Sequence, residues 1–182
     1  MFTLLIVFFT VSARGFASDF EISAKSQKSM TLSENKIVGQ FCSGFIGADR
    51  GTSLKRTLDI VKLTRDNITQ AQLPNGRSVP AETKAELQYP IVSGSLATCI
   101  VSIGAQSALA DLCGFDVEAR IYSPFMKLIR RELSPSAKQI AFVGLLHGVS
   151  MGRVLGEIQQ AGADSCPPGT RDRLDRQLPK SK

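Results

Sequence analysis

From Pro90 to Ala110 the chain carries no charged residue. In water such a run must be covered, by other parts of the chain or by lipid. Three readings meet that demand. The first is a helix buried inside the fold. The second is a membrane anchor, since the run matches the roughly 20 residues that a span requires. Its Ser and Gly content makes insertion weak. The third is a second, internal export signal. Ala108-Leu109-Ala110 followed by Asp111 is a peptidase-type site. On that reading translation starts near residue 80, from a codon other than Met, and the mature unit begins at Asp111.

A first apolar run, Phe2 to Ala13, has the form of a secretory h-region, and Gly15-Phe16-Ala17 supplies small residues for cleavage. It lacks Lys or Arg ahead of it, and Arg14 falls behind it. About a dozen apolar residues is short of a span. The expected division is a signal peptide at 1–17 and a polar region at 18–89, partly helical or poorly ordered. The uncharged segment at 90–110 and a helical domain at 111–182 follow. An exported chain with four cysteines, Cys42, Cys99, Cys113 and Cys166, is expected to form disulfides. Three pairings exist, and no C-x-x-C suggests a redox or zinc motif.

Composition excludes some classes. With 43% hydrophobic and 21% charged residues, the chain is neither disordered nor multi-spanning. Trp is absent, so the core is aliphatic. The net charge of +6 favours an anionic envelope surface as a contact. Acids and bases are interspersed, however, and no specific nucleic acid is expected. Even the basic tail of Arg171, Arg173, Arg176, Lys180 and Lys182 is diluted by Asp172 and Asp175.

Upstream, 18–50 is polar and Ser-rich around an apolar island at 41–46. Helical spacing of Leu54, Leu58 and Val61 predicts a helix over 53–72. Asn67-Ile68-Thr69 is a glycosylation sequon, meaningful in a eukaryotic secretory pathway. Pro74-Asn75-Gly76 marks a turn, and 80–86 a linker entering a helical turn. Downstream, Asp116 caps a helix carrying Val117, Ile121, Phe125 and Leu128, and Pro124 implies that it kinks or begins twice. Ser134-Pro135 opens the next helix, with Ser136 and Gln139 as a capping box. It runs to about Gln160, where Gly162 stops it. After the Cys166-Pro167-Pro168-Gly169 break, Thr170 is expected to cap a last helix with Leu174 and Leu178. Pairing these two long helices antiparallel puts Cys113 beside Cys166, a bridge clasping the open end of a hairpin. Cys42–Cys99 is then the remaining pair.

Gly144, Gly148, Gly152 and Gly156 recur every four residues, on one helix face. Each costs about 0.8–1 kcal/mol relative to Ala. Close packing against the preceding helix, or a self-association or partner face, is needed to offset that cost. On the next stripe, with Ile140, Val143, Met151, Val154 and Ile158, lies His147, the single histidine. A satisfied core residue accounts for it more simply than a ligand, and no metal site is expected from one His. Gly148-Val149-Ser150-Met151-Gly152 matches the G-x-S-x-G elbow of α/β-hydrolases. That fold places its acid and histidine after the serine, and here no histidine follows Ser150.

Cys113-Gly114-Phe115-Asp116, the 139–148 run Gln-Ile-Ala-Phe-Val-Gly-Leu-Leu-His-Gly, and Cys166-Pro167 make the C-terminal third similar to small exported bacterial helical domains of unknown role. In size and cysteine spacing it also loosely resembles periplasmic acid-stress chaperones. The resemblance implies no functional residue and no cofactor. The expected fold is mainly α, with a disulfide-clasped helical hairpin or three-helix domain at the C-terminus and a poorly defined N-terminal part. The expected function is that of a non-catalytic exported binding or accessory protein, acting on a protein partner or on itself. Two alternatives are an envelope protein anchored by 90–110 and a small serine hydrolase using Ser150.

Overall fold

Six α-helices follow one another in the computed structural model, which describes residues 32–42, 54–73, 75–162 and 165–178. They are α1 (Leu32–Ile37), α2 (Leu54–Asp66), α3 (Gly94–Leu112), α4 (Ser123–Leu133), α5 (Ala137–Gln160) and α6 (Thr170–Gln177). Among the described residues there is no strand, only an isolated bridge between Gln72 and Ser78. The signal-type run, Pro74, most of the 41–46 island, Lys180 and Lys182 lie outside them.

The local signals act where they stand. The Ser93 hydroxyl accepts the Leu96 N–H and starts α3. Asp116 Oδ1 accepts the Ala119 N–H at 2.9 Å, a π-type turn over Glu118–Tyr122 follows, and α4 resumes with Pro124 in its first turn. The helix thus begins twice, since Pro fits a first turn and not an interior. Ser134, left-handed at φ 46°, closes α4. The Ser136–Gln139 capping box is formed in full, and α5 ends before Gly162, which has φ +72°. Thr170 does not cap α6. Gly169 holds that place with φ +72°, and Thr170 is the first helical residue, with no side-chain cap.

The uncharged segment is the heart of the fold. α3 is long and apolar enough to cross a membrane, yet 72% of its apolar window is buried inside the protein. Use as an anchor would require the fold to open. Its main neighbour is α5, not the next helix in sequence. Gln139, at the start of α5, donates to the Ile91 carbonyl just before α3. Cys113–Cys166 joins the other ends, so α3 and α5 run in the same sense. α4 carries the chain back from the end of α3 to the start of α5. The clasp therefore closes a three-helix unit, and the expected pairing of α5 with α4 as its principal partner gives way to α3. Leu96, Ile100, Ile103, Phe125, Ile129, Phe142 and Leu146 form the buried centre. The second bridge, Cys42–Cys99, fixes the turn Val38–Cys42 to α3 with both cysteines fully buried.

α2 departs from its pattern. It covers 54–66, followed by a 3-10 turn at Ile68–Gln70. The spacing of Leu54, Leu58 and Val61 marks the helix but not its inner face. Leu54 and Leu58 are 56% and 40% exposed, and Thr57, Ile60 and Thr64 face inward. Thr64 is tolerated there because its hydroxyl donates to the Ile60 carbonyl at 2.8 Å. Arg56–Glu157 at 2.6 Å ties α2 to α5. Arg65 holds Glu82 and the Glu86 and Tyr89 carbonyls, fastening the linker.

Candidate functional site

α3 and α5 meet most closely at Gly104. A Cβ there would lie 2.6 Å from Ser150 Cβ and 2.8 Å from the His147 carbonyl oxygen. Only a glycine permits this approach. Two hydrogen bonds bracket it. Ser150 Oγ donates to the Val101 carbonyl at 2.7 Å, and Ser107 Oγ lies 2.9 Å from His147 Nε2. Ser107 and Ser150 are fully buried and His147 is 5% exposed. Burial pushes the imidazole down to about 4, against a weaker opposing pull from Glu118, so His147 is neutral at neutral pH. The Tyr122 ring lies against it, tilted by 45°, with ring centroids 5.0 Å apart.

This is a polar clamp between two helices. His147 is a satisfied core residue, as its lone place on an apolar stripe suggests. Ser107–His147 has the spacing of a nucleophile and base, but both groups are sealed, and no described carboxylate hydrogen-bonds the ring. Ser150 sits in the middle of an uninterrupted α5 with its hydroxyl committed to Val101. The strand–turn–helix that G-x-S-x-G requires is not there. Among the described residues no three His, Cys, Asp or Glu side chains gather to hold a metal.

The glycine stripe behaves otherwise than close packing demands. At Gly144 a Cβ would come 2.9 Å from Tyr122 Oη. At Gly148, Gly152 and Gly156 it would meet no described atom within 4 Å. Gly148 and Gly152 are exposed. Among the described residues, close packing of the stripe therefore holds for Gly144 alone.

Beside the upper part of this stripe, α4 and α5 part to leave a groove of about 670 Å³, walled on the third side by Ala71–Leu73. Met126, Ile140, Leu145 and Val149 make it apolar; Tyr122, Gln72 and Arg130 are its polar groups. Elsewhere, Arg120 and Arg171, the latter from the basic tail, both lie over the Phe115 ring, at 4.8 and 5.5 Å. Arg120 also pairs with Asp175 at 3.0 Å, so these cations brace α6.

Gly104, Ser107, Tyr122 and Arg130 escape a reading of the sequence. The one available signal was the polar content of an uncharged run: Ser107, on a helix buried nearly all round, needs a partner inside and finds His147, whereas the buried Gln106 Oε1 meets no described hydrogen-bond donor.

Fold and site together define a disulfide-bridged, mainly helical protein with a polar clamp in its core and an open groove on its surface. Comparison of the chain with family models, curated proteins and solved structures finds no match. The two disulfides are compatible with an oxidising, exported environment.

Proposed function

We propose that the protein is a non-catalytic binding or accessory module of an exported compartment, periplasmic or extracellular, and that it works through the open face of α5. The observation that carries this reading is the glycine stripe. Gly148, Gly152 and Gly156 together cost about 2.4–3 kcal/mol of helix propensity, and their side-chain space meets no described atom. A bare helix face with a groove beside it is suited to receive something that the described residues do not supply. The sealed Ser107–His147 pair supports a non-catalytic role.

A photo-reactive residue placed at Gly152 of the full exported chain tests this. The expected result is a discrete cross-linked adduct of a partner, ligand or second copy, lost when Gly148 is replaced by Leu. Cross-linking at Leu58 on α2 but none at Gly152 would move the binding face elsewhere and overturn the reading.

A further inference from the structure

The groove between α4 and α5 has a composition that specifies its ligand further than an apolar face alone does. It is lined by twelve residues, of which none is acidic and one, Arg130, is cationic. Arg130 is exposed and forms no ion pair with a described residue, and it is the one cation among the groove's lining residues. A guanidinium with its donors free, beside an apolar trough, is half of a charge-assisted pair.

The trough has a direction. Arg130 lies about two turns, roughly 12 Å, along α4 from Tyr122. Because α4 and α5 are joined by 134–136 and run oppositely, Arg130 falls near Ile140 and Tyr122 near Gly144, which its hydroxyl faces. Between them the floor is Met126, Ala141, Gly144 and Gly148. A side chain at Gly148 would stand in this space, since nothing else occupies it. The volume lies within the range of about 300–1,000 Å³ that small-molecule sites have.

We propose that the groove binds a free fatty acid, its carboxylate on Arg130 and its single acyl chain lying along α5 towards Tyr122. The inference rests on the reading of the α5 face as a binding surface. It adds the class of occupant: small because the groove holds about 670 Å³, apolar in its body because most of the lining is apolar, and anionic at its head because the one charged lining residue is an arginine that pairs with no described acid. The net charge of +6 favours the same sign of ligand.

The test is calorimetric titration of the full, oxidised protein with sodium laurate below its micelle concentration. Dodecylammonium and dodecyl maltoside serve as partners of equal chain and different head. Laurate is expected to bind at one site. Dodecylammonium and the maltoside are expected to bind at least about tenfold more weakly, and Arg130→Gln to weaken laurate by about tenfold or more, the loss of one charge-assisted contact. Gly148→Leu is expected to abolish binding while circular dichroism shows the helices intact. Gly148→Ala, which fills less of the trough, should weaken it partially.

Several results would overturn the proposal. They are no laurate binding, equal affinity for all three heads, laurate affinity unchanged in Arg130→Gln, or unchanged in both Gly148 variants. Binding confined to phosphatidylglycerol vesicles, with none to monomeric laurate, would replace it with a membrane-surface site. If laurate fails while a Gly152 photo-adduct still forms, the fatty-acid inference falls and the α5 binding face stands. If both fail, both fall.

Discussion

Glycines in the interiors of α3 and α5 serve differently: Gly104 and Gly144 lie against neighbouring groups, and Gly148, Gly152 and Gly156 meet no described atom. Gly104 on α3 is buried against Ser150 and the His147 carbonyl, closer than any side chain allows. The stripe on α5 looks like the better packing motif in sequence, yet Gly148, Gly152 and Gly156 open onto space. The difference teaches that spacing identifies a bare face and says nothing of what lies opposite. Gly104 has no periodic companion, and it marks the crossing because polar groups on both sides of it are tied across the interface.

The largest expected effect concerns what holds that crossing in register. Replacing Cys113 and Cys166 together by Ser opens a loop with a sequence separation of 53. It should cost about 4 kcal/mol on the chain-entropy model, read as a fall in denaturant midpoint. Little change would mean that the Ser107–His147 and Ser150–Val101 bonds fix the helices unaided.

Acid probes the clamp itself. His147 is depressed to about 4 in the fold and returns to about 6.5 when unfolded. The unfolded state then binds more protons between those values, so stability is full above about 6.5 and falls as pH drops towards 4. The loss should approach about 3 kcal/mol, measured by urea titrations across that window, and His147→Gln should flatten the slope there. The carboxylates act lower down. Lys138 and the Thr83 N–H and hydroxyl hold Glu86 to about 2, so its share disappears as pH falls below 4.5.

Gly104→Ala should destabilise by about 1–3 kcal/mol, because backbone and Cβ atoms stand where the methyl must go. Gly152→Ala and Gly156→Ala should each stabilise by up to about 1 kcal/mol, read as a higher melting temperature. Opposite signs for the same substitution on facing helices would confirm the comparison, and equal signs would break it.

Much of the fold was legible because it is written locally. The capping box at Ser136, the double start around Pro124, the stop at Gly162 and the Cys113–Cys166 bridge each rest on a few adjacent residues or on helix length. What failed was orientation and partnership. The leucines of α2 announce a helix, but tertiary packing buries Thr57, Ile60 and Thr64 in their place. A hydrophobic period does not reveal that α3 has more apolar surface to cover than α4, and so takes α5 as its main neighbour. At the site, His147 was visible as a core histidine. Ser107 was not, because the partner lies 40 residues away and no periodicity links them. Arg130 could be singled out only after the groove showed which cation lines it.

The most direct measurement is the thermal and urea unfolding of Gly148→Leu beside Gly104→Ala, followed by circular dichroism. If the α5 stripe is an open face, Gly148→Leu keeps its helices and melts at or above the wild-type temperature, while Gly104→Ala melts lower. Unfolding of Gly148→Leu, with Gly104→Ala unaffected, would show the stripe to be the internal packing face and would contradict the account.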